Sequence, residues 1–291
     1  MSPSDKVRYG LAVVVILAAL VGPTSSGGGR TLELVESVDV ASRAVRGVSW
    51  EAESVDRCDL DTVTALSDQR SEVGQFVVIS TGTFDDPVGD TFVATRRDDG
   101  WICQTEPLTT RLARLGTSPL EDRRFGDETT PAGVFPLGAV DAWDGERVNA
   151  FGNQSDPGAR SALAYRDVHP DDCWGSTPGD DDYNDLVNDP DCAEPDEALH
   201  EFGEMYAHAV VIGANLDPET GDTSGDDDDE PPYAAATFLH HHRVDADDVP
   251  QPTRIGASLD LEDLRTVIRL IDPTLEPHFA IGPTDWLRDL G

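Results

Sequence analysis

The sequence predicts a mainly β protein with one main α-helix packed on its strands. Short runs rich in β-branched and aromatic residues recur along the chain and are bounded by Gly, Pro and Asp, a pattern typical of strands joined by turns. A clear helical period occurs near the C-terminal end. With 291 residues and 38 % hydrophobic content, the chain can build a substantial core.

The first strands are predicted after residue 74. Residues 75–81 (QFVVIST) form a β-branched run that indicates a buried strand, and residues 91–96 alternate weakly. Residues 101–105 follow an Asp-Asp-Gly turn at 98–100. Together these segments predict a hairpin or meander that opens the domain.

Two more strands are predicted at residues 208–215 (HAVVIGAN) and 234–240 (AAATFLH), with an acidic loop at 217–232 between them. Residues 226–229 are four adjacent aspartates, and Ca²⁺ prefers oxygen ligands. The aspartates lack the alternating spacing that lets several side chains converge on one ion, so we expect a solvated loop.

The helix is indicated by acidic residues followed by apolar residues on one helical face, at Leu264, Val267, Ile268 and Ile271. Ser258 is a candidate cap at its beginning, and Pro273 lies beyond its end. Residues 277–282 then predict a closing strand.

The charge balance is strongly acidic. The chain has 57 Asp and Glu against 21 Lys and Arg, for a formal net charge of −36, and Lys6 is its single lysine. Nucleic acid is excluded as a partner because phosphate binding needs a basic surface. A carboxylate-rich surface almost free of lysine indicates a protein adapted to concentrated salt, where self-repulsion is screened.

The N-terminus has the layout of a signal peptide. Lys6 and Arg8 precede an apolar run at 11–21, which is followed by Pro23 and small residues up to residue 29. The run is shorter than the roughly 20 residues of a membrane span, and the alternative is an uncleaved N-terminal membrane anchor. Either way we expect an extracellular or cell-surface protein.

The predicted organisation has three parts. Residues 1–29 are a signal peptide or anchor with a linker, residues 30–73 are a lead-in segment, and residues 74–291 form the folded domain. No cofactor is predicted, and the sequence leaves the oligomeric state open.

Four cysteines agree with export, since an even count in an exported chain favours disulfides. Three pairings are compatible with the sequence, and we favour Cys58 with Cys103 and Cys173 with Cys192. A bridge of the second span contributes about 3 kcal/mol in the loop-entropy description. The rival interpretation is a metal site, but the sequence contains no Cys-x-x-Cys spacing.

Four segments, in order, resemble the L,D-transpeptidase family, in particular its YkuD-type branch. They are residues 126–137 (GDETTPAGVFPL), 171–187 with its Trp, Pro, Tyr and Asn, 206–215 (YAHAVVIGAN), and the stretch from 238–240 (FLH) through 252–264. The resemblance implies an L,D-transpeptidase-like β-sandwich or barrel with a cleft near the fourth segment. Members of that family attack a cell-wall peptide carbonyl with a cysteine thiolate and use a histidine as base.

In this chain the family's cysteine is missing. His240 matches the histidine and Thr253 the Ser/Thr of the motif, so that Gly256 falls at the nucleophile position. In the alternative register Gly256 matches the motif glycine, and Ala257 takes the cysteine position. Both registers predict loss of the family's acyl transfer, since neither supplies a thiol.

The remaining candidates have competing interpretations. Ser258 or Thr253 is a candidate replacement nucleophile with His240 as base, or else a cap and a turn residue. His240 and His242 would share a face of a strand and could begin a divalent-metal site. Arg254 is a candidate carboxylate ligand or a partner of a surface acid.

Trp174 and Tyr183 are candidate pocket-lining residues, although large aromatics commonly serve the core. The leading hypothesis is an exported, catalytically degenerate protein that keeps a cleft for peptide or glycan at the cell surface. The alternatives are an acyl-transferase or hydrolase with a hydroxyl nucleophile or His-bound metal, and a structural envelope component.

Overall fold

The structure is a computed structural model that describes residues 58–154, 162–216 and 233–291. The predictions for residues 1–29, for most of the lead-in and for the acidic loop at 217–232 lie outside the described residues. Strands account for 36 % and helices for 17 % of the structure, which confirms the predicted mainly β class.

Seventeen strands lie in the described residues: β1 Gln75–Thr81, β2 Val88–Arg97, β3 Gly100–Cys103, β4 Leu108–Arg111, β5 Thr117–Pro119, β6 Thr130–Pro136, β7 Val140–Asp141, β8 Arg147–Val148, β9 Ala150–Gly152, β10 Tyr165–Asp167, β11 Asp172–Trp174, β12 Leu186–Asn188, β13 Glu197–Ala198, β14 Ala209–Val211, β15 Phe238–His241, β16 Ala257–Leu259 and β17 His278–Pro283. The α-helices are α1 Leu60–Asp68, α2 Leu261–Leu270 and α3 Thr284–Asp289.

Twelve strands form one mixed sheet in the order β10-β9-β14-β15-β16-β4-β2-β1-β17-β6-β5, with β3 paired to β2. Two smaller sheets have the orders β12-β11-β13 and β7-β8. This arrangement establishes a mainly β protein with mixed sheets. The more specific prediction, an L,D-transpeptidase-like sandwich or barrel, stays a prediction.

The centre of the large sheet is buried on both faces. β1 lies between β2 and β17, and its side chains alternate between two cores: Val77 and Ile79 pack on one face, Phe76 and Val78 on the other. An uninterrupted β-branched run fits this position because both faces need apolar side chains.

Helix α2 covers the first face with Leu264, Val267 and Ile268. Its N-cap is Asp260, whose side chain accepts a hydrogen bond from the Glu262 amide at 3.0 Å. The prediction of Ser258 as a cap is therefore wrong, since Ser258 lies in the middle of β16.

Helices α1 and α3 cover the opposite face, where Val63, Leu66 and Leu287 are buried. Their ends are tied together by Arg288, which donates to the Asp59 carboxylate at 2.6 Å. One main helix was predicted, and the described residues contain three. The two additional helices have 9 and 6 residues, too short for a distinct period, and they depend on packing against each other and the sheet.

Both disulfides pair the cysteines as predicted. Cys58 and Cys103 have Cα atoms 6.3 Å apart and join the beginning of α1 to the end of β3. Cys173 and Cys192 have Cα atoms 5.8 Å apart and fix the loop after β12 to β11. Two disulfides favour an oxidising, extracellular environment. Within the described ranges no helix is long and apolar enough to cross a membrane.

Candidate functional site

A cleft of about 330 Å³ lies beside β15 and the loop that leads into β16. Four segments distant in sequence form its walls, within residues 194–197, 202–206, 236–243 and 252–256. The cleft brings together four of the residues singled out from the sequence: His240, Thr253, Arg254 and Gly256.

His240 lies on β15 and is buried, with 5 % of its surface exposed. Its Nδ1 donates a hydrogen bond to the His241 carbonyl oxygen at 2.8 Å, which leaves Nε2 as the acceptor nitrogen. The Tyr206 ring packs edge-on against the imidazole at 5.5 Å. Burial, together with the neighbouring imidazoles, lowers the pKa of His240 to about 4. The imidazole is therefore neutral at pH 7 and a weak base.

Gly256 lies where the entry of β16 touches the backbone of β15. A Cβ atom at this position would overlap the Phe238 carbonyl oxygen and crowd the Phe238 amide nitrogen. The Gly256 carbonyl oxygen accepts hydrogen bonds from the hydroxyls of Thr253 at 2.7 Å and Thr130 at 2.8 Å. The close approach of two backbones requires glycine here.

Ala257, the nucleophile position in the alternative register, faces away from the cleft. Its side chain is fully buried in the core that also contains Leu239 and Leu259. Gly256 thus lines the cleft but has no room for a side chain, whereas the Ala257 side chain points into the core and does not line the cleft.

The two candidate hydroxyls are held in hydrogen bonds. Thr253 uses its hydroxyl to close the turn onto the Gly256 carbonyl, and its amide donates to the Leu112 carbonyl at 2.9 Å. Ser258 has no exposed surface and does not line the cleft. It pairs with His240 across the strands, but its hydroxyl bonds the Nδ1 atom of His242 at 2.9 Å.

His242 therefore faces Ser258 rather than a metal ligand set. Burial, followed by the charges of His241 and Arg111, lowers the pKa of His242 to about 4. In the described part of the chain, no group of three or more His, Cys, Asp or Glu is arranged to hold a metal ion.

Three cleft residues were not anticipated from the sequence as functional candidates: Glu197, Tyr206 and Arg243. The Tyr206 hydroxyl donates to the Glu197 Oε2 atom at 2.6 Å. Burial raises the pKa of Glu197 to about 7, although the Tyr206 hydrogen bond and the Arg254 charge oppose this rise. The cleft thus contains a carboxyl group that changes charge near neutral pH.

Arg243 and Arg254 are exposed at the cleft. Among the residues that the structure describes, neither has a carboxylate within salt-bridge distance. Arg254 is close enough to Glu197 and Tyr206 for its charge to act on both groups.

The two predicted binding aromatics lie elsewhere. Trp174 is fully buried against Phe238 at 4.8 Å, and its indole nitrogen donates to Asn184 at 3.0 Å. Tyr183 is buried beside Tyr233, and its hydroxyl accepts from the Ala234 amide at 3.3 Å. Neither lines the cleft. Both order the segments behind its walls.

Comparisons with known proteins add no relative. A scan against protein-family models, a search of curated proteins and a search of solved structures each returned no match.

Proposed function

We propose that this protein is an exported binding protein with an L,D-transpeptidase-like fold, and that its cleft binds peptide at the cell surface without acyl transfer. One observation carries the proposal. The cleft keeps His240 and Thr253 of the motif, but the position that would carry the thiol is Gly256, where even a Cβ would overlap the neighbouring strand.

Three further features support a binding role over catalysis. All four cysteines are in disulfides, so no thiolate is available. The Ser258 hydroxyl is closed off from the cleft, and the low pKa of His240 makes its imidazole a poor acceptor for a hydroxyl proton. An alkoxide would need a stronger base than this histidine.

The composition of the walls favours peptide over glycan. Phe202, Met205 and Ile255 give the cleft an apolar wall, while the arginines, Glu197 and His240 supply a few polar groups. Apolar walls with a few polar groups are typical of sites for small organic ligands. Met is also common in surfaces that bind peptides of varied sequence.

The test is a binding titration of the protein in concentrated KCl with short blocked peptides and with oligosaccharides, followed by calorimetry. Ile255→Trp fills the cleft and should weaken peptide binding about tenfold or more. The matched control is Ile102→Trp on β3, where the isoleucine is 42 % exposed and outside the cleft, and it should bind like the unmodified protein. Saturable binding of oligosaccharide but not peptide would contradict the proposal.

A further inference from the structure

Two exposed arginines, Arg243 and Arg254, lie at the cleft. Carboxylates outnumber basic residues 57 to 21 in this chain, so a pair of exposed arginines at one cleft is a local concentration of positive charge. Arg114, Arg147, Arg166, Arg265 and Arg288 all form salt bridges. Arg243 and Arg254, like Arg97, are exposed and form none with the described residues, but only Arg243 and Arg254 line the cleft.

These two arginines lie at the junction of two depressions. The cleft shares Arg243, Pro252, Thr253 and Arg254 with a neighbouring, more open groove of about 420 Å³. The groove continues toward Arg114, whose charge is neutralised by Glu128. Two guanidinium groups that form no salt bridge with the described residues therefore flank the passage from the groove into the cleft.

We infer that the ligand is a peptide with a free carboxyl terminus, and that Arg243 and Arg254 bind its carboxylate at this junction. The inference rests on the proposed peptide-binding function and names the end of the peptide that the cleft recognises. A guanidinium presents paired N–H donors that match the two oxygens of a carboxylate.

The interior of the cleft provides the complementary partners. The His240 Nε2 atom is an acceptor because Nδ1 donates to the His241 carbonyl, and the Glu197 carboxyl group adds oxygen acceptors. A peptide C-terminus has amide N–H donors next to its carboxylate. With the carboxylate at the arginines and the preceding amide inside the cleft, both of these ligand groups have a partner of complementary hydrogen-bonding type.

The local charge favours carboxylate over phosphate. Glu194, Asp196 and Glu197 also line the cleft, so the acidic side chains at the cleft are at least as many as the two arginines. These acids repel a singly charged carboxylate less than a doubly charged phosphate. A direct contact between guanidinium and carboxylate also persists in concentrated salt. The Debye length of about 3 Å at 1 M is close to the length of a charge-assisted hydrogen bond, so salt screens such a contact only partly.

The experiment compares N-acetyl-trialanine with its C-terminal amide, by calorimetry on the protein in concentrated KCl, with inorganic phosphate as a third probe. We expect the free acid to bind about tenfold or more tightly than the amide. Arg254→Gln and Arg243→Gln should each remove most of this difference, because they weaken binding of the acid much more than binding of the amide. Arg97→Gln, an exposed arginine at the end of β2, is the matched control and should bind like the unmodified protein.

The outcomes separate the inference from the function on which it rests. Equal binding of acid and amide would overturn carboxylate recognition and leave the peptide-binding function standing. Phosphate binding that is tighter than that of the acid would overturn the inference in favour of a phosphate site. Binding of neither peptide would overturn both.

Discussion

Introducing a thiol at Gly256, the nucleophile position implied by the resemblance, should destabilise this protein instead of activating it. In Gly256→Cys, the new Cβ would overlap the Phe238 carbonyl oxygen and lie 3.1 Å from the Phe238 amide nitrogen. Both obstacles are backbone atoms of β15, so no side-chain rotation relieves the overlap. Strand β16 must move away from β15.

The cost can be worked out from the contacts that this movement disturbs. Overpacking of a well-packed site costs about 1–3 kcal/mol. Displacing the Gly256 carbonyl also weakens its hydrogen bonds from Thr253 and Thr130, at about 1 kcal/mol for a typical bond. The free energy of unfolding should fall by about 2–4 kcal/mol. For a domain of this size, that is a drop in Tm of roughly 5–15 °C.

Thermal unfolding in concentrated KCl measures the change. Gly256→Ala should lose as much as Gly256→Cys, because the Cβ and not the sulfur causes the overlap. Gly82→Cys is the matched control, since Gly82 is exposed and its Cβ would meet only the Asp86 side chain. A Gly256→Cys variant that has the same Tm as the unmodified protein, and whose thiol is acylated by a peptide ester, would refute the prediction.

Three other predictions concern a buried ion pair, the pH dependence of binding and a disulfide. The buried Arg166 guanidinium pairs with buried Asp172 and with the more exposed Asp144 and Glu146. Asp172→Asn should cost about 3–5 kcal/mol in chemical unfolding because it removes the buried partner, whereas Glu146→Gln, which removes an exposed partner, should cost less than about 1 kcal/mol. Affinity for a peptide acid should fall as pH rises through about 7, because ionised Glu197 repels the ligand carboxylate and competes for the cleft arginines, and calorimetry on Glu197→Gln should show no such fall. Replacing both Cys173 and Cys192 by serine should lower the free energy of unfolding by about 3 kcal/mol. It should also weaken peptide binding, because this disulfide holds the segment that leads to Glu197 in the cleft wall. Unchanged affinity would show that this wall is ordered without the disulfide.

The long, strongly patterned elements could be predicted from the sequence. The β-branched run of β1 and the apolar face of α2 each specify a buried element through local pattern alone, and the structure contains both. The strands of two or three residues between 117 and 198 carry no detectable period. Their positions are set by pairing with distant segments, which no local window contains.

The candidate site likewise contains residues that the sequence indicates and residues that depend on the tertiary fold. The motif placed His240, Thr253 and Gly256 near one another, and the structure puts them in one cleft. Glu197 gave no signal, because its role depends on the position of the Tyr206 hydroxyl and on burial, both products of the tertiary fold. Alternation along β16 could have indicated that Ser258 points away from Ala257, but not that His242 would take its hydroxyl.

The most direct test of the central claim, binding without acyl transfer, is the intact mass of the protein after incubation with an acylating peptide ester in concentrated KCl. We predict that the mass stays unchanged under conditions in which calorimetry shows the cleft to be saturated with peptide. A covalent increment on Thr253 or Ser258 that disappears in His240→Ala would contradict the account and establish an active acyl-transferase.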